Sequence, residues 1–140
     1  MNAAIQKGLS DWHRFVETVD VDLLKDLAHP DALLHSPSGH NPYTGYVALS
    51  TALPMVMSIF ENFRYHREFI NEDEMSVVLE FSAQIDGRDL KGVDLIRFDE
   101  TGKLTELEVA IRPVALAARL AELMAEKTGH VMPGVKVKAS

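Results

Sequence analysis

The sequence contains no cysteine, and this absence removes three kinds of chemistry. A chain without thiols forms no disulfide, offers no thiolate nucleophile and gives a metal no thiolate ligand. Its six histidines show neither the H-x-H nor the H-E-x-x-H spacing of a local metal site, and no G-x-G-x-x-G or Walker pattern of a nucleotide site occurs. We therefore expect neither a metal nor an organic cofactor.

Long apolar runs and clusters of positive charge are also missing. No stretch long and apolar enough to cross a membrane is present, and the N-terminus lacks the charged-then-apolar pattern of a secretory signal. The cytoplasm is therefore the expected location. The net charge is −7 and the 14 basic residues are scattered, whereas phosphate contacts need clustered Lys and Arg. Neither a membrane nor a nucleic-acid partner is expected.

Apolar side chains at helical spacing predict the first element. Between residues 5 and 19 they recur at steps of three and four, which is typical of an amphipathic helix, and Ser10 or Asp11 could cap a shorter version of it. Asp20 or Asp22 could cap a second, short helix. The pattern then predicts helices over 21–29, 46–60 and 113–129, a short strand over 31–37 and a loop over 38–45.

Four later segments, 62–70, 75–85, 88–98 and 103–113, alternate apolar and polar residues with a period of two. They are joined by short connections that require antiparallel neighbours. Helices followed by such strands predict an α+β domain with helices on one face of a sheet. We expect one domain over residues 1–129, curled around a cavity, and a loose tail over 130–140 that holds at most a short extended piece.

The segment GVDLIRF raises the question of which way its strand faces. One phase buries Asp94 together with Ile96 and Phe98, and the other buries Arg97 and exposes Phe98. A carboxylic acid can be buried in its neutral form and a guanidinium cannot, so we predict that Asp94 points inward. It is then either a proton donor or acceptor with a raised pKa, or a structural carboxylate bonded to a neighbouring Arg, Tyr or backbone amide.

Tyr65 and Arg67 alternate on one predicted strand face, and either could meet Asp94. An arginine would hold the carboxylate ionised, whereas a tyrosine hydroxyl would share donation to a ligand carbonyl oxygen. We expect the head of Arg67 to lie in water and choose Asp94 and Tyr65 as candidate catalytic residues.

A ligand cavity is predicted between the inward strand residues and the first helix. Ser36 is expected to face inward and position substrate or water, His35 to face the opposite side, and His40 to lie in a loop at the cavity mouth. The candidate ligand-binding residues are Phe15, Ser36, His40, Leu79, Phe81, Ile96, Phe98 and Ile111.

Two stretches, DALLHSPSGHNPYTG and GVDLIRFDETGKLTELEVAIRPVALAARL, carry a family resemblance. Together with the order of elements they resemble the nuclear transport factor 2-like superfamily, in its ketosteroid isomerase and SnoaL-like polyketide cyclase branch. The resemblance implies a cone-shaped α+β barrel in which a curved antiparallel sheet wraps around N-terminal helices and a C-terminal helix follows.

The resemblance also implies roles for individual positions. Asp94 matches the aspartate that ketosteroid isomerases keep protonated to donate a hydrogen bond to an oxyanion. The position of their general-base aspartate falls on Ser36, before Pro37, and that of their tyrosine falls on Phe15. Steroid isomerisation by that standard mechanism is therefore not expected.

The resulting hypothesis is a cofactor-independent acid–base enzyme, an isomerase, cyclase, dehydratase or hydratase, that acts on a small apolar carbonyl-containing metabolite. The alternative is a non-catalytic ligand-binding or protein-interaction module of the same fold. The resemblance further implies a homodimer through the outer sheet face, where Val78, Val93 and Leu95 would supply an apolar patch.

Overall fold

The computed structural model describes residues 2–128 and the backbone of residues 135 and 136, and this part of the chain forms four helices and seven strands. The helices are α1 (Ala3–Thr18), α2 (Val21–Leu27), α3 (Tyr46–Ile59) and α4 (Val114–Thr128). The strands are β1 (Ala28–His35), β2 (Tyr43–Thr44), β3 (Glu61–Asn71), β4 (Ser76–Ile85), β5 (Arg88–Phe98), β6 (Leu104–Arg112) and β7 (Val135–Lys136). The predicted loose tail lies outside the described residues except for β7.

The strands form one curved, open sheet in the order β3-β4-β5-β6-β1-β2-β7. The predicted α+β architecture is confirmed, and β3 to β6 form the expected antiparallel meander. The sheet is nevertheless mixed, because β1 runs parallel to β6. The chain between these two strands passes through α3 and four further strands, a connection long enough to allow a parallel pair.

Helix α1 begins earlier than the shorter version predicted from Ser10 or Asp11. The side chain of Asn2 accepts hydrogen bonds from the amides of the first turn, at 2.8 and 3.2 Å, so this residue caps the helix. Of the two caps predicted for α2, Asp20 is confirmed, since its carboxylate accepts the amide of Asp22 at 2.9 Å. The predicted end at residue 29 is wrong, because the helix ends at Leu27 and β1 follows directly.

Strand β1 also begins before its predicted start, at Ala28, and ends at His35. Ser36 therefore lies just beyond the strand instead of within it. The segment predicted as a loop over 38–45 contains the two-residue strand β2, which pairs with β1 through Leu33 and Thr44. This hairpin brings the loop back over the end of β1.

A β-bulge in β3 separates two residues that simple alternation places on one face. The pairing with β4 shifts by one residue between Tyr65 and Glu68, so the side chains beyond the shift change faces. Tyr65 points inward, while Arg67 lies on the outer face and pairs with Glu80 at 2.8 Å. The predicted common face is wrong, although the side chain of Arg67 does extend into water, 70% exposed.

The predicted phase of β5 is confirmed. Asp94 is 6% exposed and is buried in line with Ile96 and Phe98, whereas Leu95 is 39% exposed on the other face. The ring of Phe98 packs against α1 at Gly8, where a Cβ atom would overlap that ring. Helix α1 therefore closes one end of the concave sheet face. Within residues 2–128, none of the helices is long and apolar enough to cross a membrane.

Candidate functional site

A cavity of about 300 Å³ lies between the concave face of the sheet and helices α1, α3 and α4. Most of its wall is apolar, and a few polar side chains interrupt it. The apolar lining residues are Trp12, Phe15, Val16, Leu34, Pro37, Ala52, Leu53, Val56, Met57, Phe60, Phe63, Phe81, Leu107, Val109, Leu120, Ala121, Met124 and Ala125. The polar lining residues are Ser36, Ser38, Tyr43, Tyr65, Asp94 and Thr128.

Three residues from three elements form a chain of hydrogen bonds in this wall. The indole Nε1–H of Trp12 in α1 donates to the hydroxyl oxygen of Tyr65 in β3 at 2.9 Å. The hydroxyl of Tyr65 donates in turn to Oδ2 of Asp94 in β5 at 2.6 Å. A short bond of this kind is typical of a hydroxyl that donates to a carboxylate. The structure thus brings the two candidate catalytic residues together.

The burial of Asp94 determines its protonation. Removal of the carboxylate from water raises the pKa of Asp94 to about 7, and the hydrogen bond from Tyr65 offsets part of this rise. Burial and the neighbouring negative charge of Asp94 both raise the pKa of Tyr65 well above its ordinary value. Near neutral pH, Tyr65 therefore keeps its proton while Asp94 exchanges its own.

Aromatic rings form the wall beside Asp94. The ring of Phe63 lies 5.0 Å from that of Phe81 and 4.9 Å from that of Tyr65 between centroids. Phe81 can lie flat on β5 because Gly92 has no side chain, and a Cβ atom there would overlap this ring and approach the carbonyl oxygen of Ala110 to 2.7 Å. The apolar surface excludes water around the carboxylate and favours an apolar ligand.

Ser36 is a second polar group in the wall of the cavity. Its hydroxyl oxygen accepts the amide of Gly39 at 3.1 Å, which leaves the hydroxyl proton free to donate. Asp94 is opposite Val109, and the parallel pairing of His35 with Glu108 places Ser36 level with Val109. Two strand spacings, about 10 Å, therefore separate the backbones of Asp94 and Ser36. A ligand with two polar groups about this far apart can contact both Asp94 and Ser36.

Three of the eight candidate ligand-binding positions line the cavity, namely Phe15, Ser36 and Phe81. Leu79, Ile96 and Phe98 share the concave face but belong to the packed core under the first half of α1. The structure does not bring them to the cavity. Their face was predicted correctly, but alternation does not predict what covers a side chain.

The other two candidates also lie away from the cavity. Ile111 packs in a second core cluster against Leu116 and Leu120 of α4. His40 is exposed in the loop before β2. His35, predicted to face away from the cavity, does so and contacts Glu106 at 2.7 Å.

Several lining residues were missed from the sequence. Trp12 could have been predicted, since it lies three residues before Phe15 on the same helical stripe. Phe63 could have been predicted too, because it alternates with Tyr65 along β3. Tyr43 and the face of α4 that ends at Thr128 gave no comparable signal, because their placement depends on how the loop and the helix dock on the sheet.

Among residues 2–128, no group of three or more histidine, aspartate and glutamate side chains is arranged to hold a metal ion. The expectation of a cofactor-free site stays a prediction.

Comparisons with known proteins agree with this fold. The sequence model of the SnoaL-like domain family matches residues 9–107. The structure of a steroid delta-isomerase from Pseudomonas aeruginosa is 40% identical, covers 92% of this chain and 94% of that chain, and superposes with a TM-score of 0.87. An uncharacterised protein with a cystatin-like fold from Silicibacter pomeroyi is 26% identical over 92% of this chain and 87% of that chain, with a TM-score of 0.81.

A more distant structure shares the fold alone. The epoxide hydrolase/cyclase-like enzyme SalBIII, which acts in pyran ring formation of salinomycin, is 18% identical over 79% of this chain and 92% of that chain, with a TM-score of 0.65. No curated protein matches the sequence.

Proposed function

This chain belongs to the SnoaL-like domain family, and we propose that its cavity binds a small apolar carbonyl compound and performs cofactor-independent acid–base chemistry on it. One observation carries the proposal. The carboxyl group of Asp94 is buried in an apolar cavity and, among residues 2–128, is held by one hydrogen bond, from Tyr65. Buried carboxyls with a perturbed pKa in a cleft are typical of functional sites.

The pKa of Asp94, about 7, suits both directions of proton transfer near neutral pH. Protonated Asp94 donates to the carbonyl oxygen and stabilises the negative charge that develops there in an enolate. Ionised Asp94 removes a proton from carbon or oxygen. These steps are shared by isomerisation, aldol-type cyclisation, dehydration and hydration, and the proposal covers this group of reactions.

The substrate class follows from the wall of the cavity. Apolar side chains surround Asp94 on several sides, and Ser36 offers one further donor about 10 Å away across two strand spacings. A fused-ring or linear ketone with a second oxygen at its far end fits this arrangement. The name of the Pseudomonas aeruginosa protein adds steroid ketones to the compounds that merit a test.

A non-catalytic ligand-binding module of the same fold is the second candidate. It is favoured by the lining of the cavity, in which Asp94 is the only carboxylate among the residues that the structure describes. Ser36 stands where ketosteroid isomerases have their general base. Asp94 itself, or a water held by Ser36, would then have to act as the base.

The first experiment is a thermal-shift screen of the wild type and Asp94→Asn against steroid, polyketide-like and terpenoid ketones. We expect ketones to raise the melting temperature of the wild type and to lose most of this effect in the variant. Equal stabilisation of both proteins would make Asp94 incidental to binding. No stabilisation by any ketone would contradict the substrate class.

A second experiment separates the enzyme from the binding module. A ketone that binds is incubated with the protein in D₂O, and exchange of its α-hydrogens is followed by NMR. An acid–base site accelerates exchange in the wild type and not in Asp94→Asn. A binding module leaves the rate unchanged in both.

We further propose that the protein forms a homodimer through the outer face of the sheet. Phe69, Val78 and Leu95 lie opposite one another across β3, β4 and β5, and Phe69 and Leu95 are 51% and 39% exposed. Val93 extends this patch on the next row of β5. An exposed apolar row of this kind favours contact with a second copy, and sedimentation at micromolar concentration tests the proposal.

A further inference from the structure

The hydrogen-bond chain from Trp12 through Tyr65 to Asp94 has one direction as long as Oδ2 of Asp94 carries no proton. An indole nitrogen only donates, and a tyrosine hydroxyl has one proton to give and two lone pairs with which to accept. Trp12 uses one lone pair of Tyr65 at 2.9 Å, and the single proton of Tyr65 goes to Oδ2 of Asp94 at 2.6 Å. The hydroxyl therefore has no second proton for a ligand.

The other carboxyl oxygen of Asp94 is left open to the cavity. In the described part of the chain, Oδ1 receives no hydrogen bond. The amide nitrogen of Asn41 is the one fully enclosed side-chain polar atom there that lacks a partner, so Oδ1 is not sealed in the core. Since Asp94 lines the cavity, Oδ1 is the atom through which it reaches a ligand.

We propose that Trp12 is a positioning residue that, through Tyr65, fixes Asp94 so that Oδ2 is held by the protein and Oδ1 alone meets a ligand oxygen. This inference rests on the proposed function in one respect, that a ligand is bound. The geometry of the hydrogen bonds among Trp12, Tyr65 and Asp94 does not depend on that function. It replaces the shared donation expected of Tyr65, whose proton is committed to Asp94. The ligand group recognised is a single oxygen, a carbonyl that accepts from Oδ1 or a hydroxyl that donates to it.

Few other titratable groups face this chain. His13 of α1 stands edge-on to the ring of Tyr65, with 5.4 Å between centroids, and lies 3.6 Å from Glu68 of β3. The neighbouring lining side chains from β4, β6, α3 and α4 are uncharged. His13 is therefore the group to control for when the chain is titrated.

Trp12 is the only tryptophan in the sequence, so its indole N–H gives a unique signal in a ¹H–¹⁵N spectrum of the intact protein. If the chain transmits the charge of Asp94, this signal moves with pH and has the same midpoint as the ¹³C signal of the Asp94 carboxyl. The midpoint must be kept in His13→Gln, and the movement must be lost in Tyr65→Phe. If the indole signal of the wild type does not move while Asp94 titrates, the inference is overturned, and no variant is needed to show it.

A double-mutant cycle then assigns the effect to the path through Tyr65. Loss of the hydroxyl in Tyr65→Phe should raise the pKa of Asp94 by about one to two units, the worth of a hydrogen bond to a charged group. Trp12→Phe keeps the ring and should raise that pKa by a few tenths, about the cooperative share of one bond in a chain. In the Tyr65→Phe background, Trp12→Phe should have no effect on it.

The same shift from Trp12→Phe with and without Tyr65 would reduce Trp12 to a packing residue. These readouts need no ligand. The inference can therefore fail while ketone binding still depends on Asp94, and it can hold while the ketone screen fails.

Discussion

The two ends of the concave sheet face differ although the same strands build both. Phe98 and Asp94 are four residues apart on β5 and point the same way, yet Phe98 is packed solid and Asp94 opens on a cavity. At the Phe98 end, Gly8 lets α1 lie directly on the ring. At the Asp94 end, α1 presents Trp12 and Phe15, which line the cavity. The covering helix thus presents a small residue to the packed end and large residues to the end with the cavity.

The packed end should carry more of the stability than the open end. Phe98→Ala should lower the free energy of unfolding by about 3–5 kcal/mol, because it removes a fully buried ring from a close-packed site. Phe63→Ala, at the half-buried cavity wall, should cost roughly half as much. Urea unfolding of both variants measures the difference, and equal losses would show that the two ends are packed alike.

At the open end, the buried carboxyl group of Asp94 should make the free energy of unfolding depend on pH. The pKa of Asp94 is raised from 3.8 in the unfolded chain to about 7 in the fold, so the folded protein binds the extra proton between these values. Stability from this residue is therefore present at low pH and is lost as the pH rises towards and through 7.

Asp94→Asn removes this titration, since its amide stays neutral. The free energy of unfolding of the wild type minus that of the variant should fall by about 3 kcal/mol from about pH 5 to about pH 8. Urea unfolding at both pH values gives the difference. A difference that is constant with pH would mean that the carboxyl titrates normally.

Added side-chain volume should cost stability at the packed end and little at the open end. Gly8→Ala places a methyl group against Phe98 and 2.8 Å from the carbonyl oxygen of Gly102, so we expect a loss of about 1–3 kcal/mol despite the better helix propensity of alanine. Ala125→Met extends into the cavity and should change stability by less than about 1 kcal/mol while it weakens ketone-induced thermal shifts. Tolerance of Gly8→Ala with no loss would mean that this end is looser than described.

A substitution on the outer face of the sheet should have the smallest effect on the free energy of unfolding. Leu95→Lys should leave the free energy of unfolding of the protomer within about 0.5 kcal/mol but shift the sedimentation coefficient to that of a monomer. Val114, 82% exposed at the start of α4, provides the matched control, and Val114→Lys should stay dimeric. A dimer that survives Leu95→Lys would place the contact elsewhere.

The sequence predicted the four helices, the four-strand meander and the orientation of β5, because these depend on local patterns. It did not predict β2, which exists only through its pairing with β1. The contrast between Asp94 and Arg97 sufficed to choose the buried face of β5. The bulge between Tyr65 and Glu68 was not predictable, since one extra residue leaves no trace in the composition of the strand. Arg67 was therefore assigned to the wrong face.

The candidate site was predicted only in part for a related reason. Asp94, Tyr65, Ser36 and Phe81 were found from chemistry and alternation and Phe15 from its place on the first helix, and all five line the cavity. Phe98 was assigned there too, because periodicity cannot tell a side chain under Gly8 from one that faces open space. That distinction belongs to tertiary packing.

Acid–base chemistry at Asp94 requires a raised pKa. The most direct test is to measure this pKa by ¹³C NMR of the carboxyl group in the free protein. We expect a midpoint of about 7, caused by burial beside the aromatic wall and only partly offset by the bond from Tyr65. A midpoint near the ordinary value of 3.8 would show a solvated, ionised carboxylate. It would remove the basis for acid–base chemistry at this site.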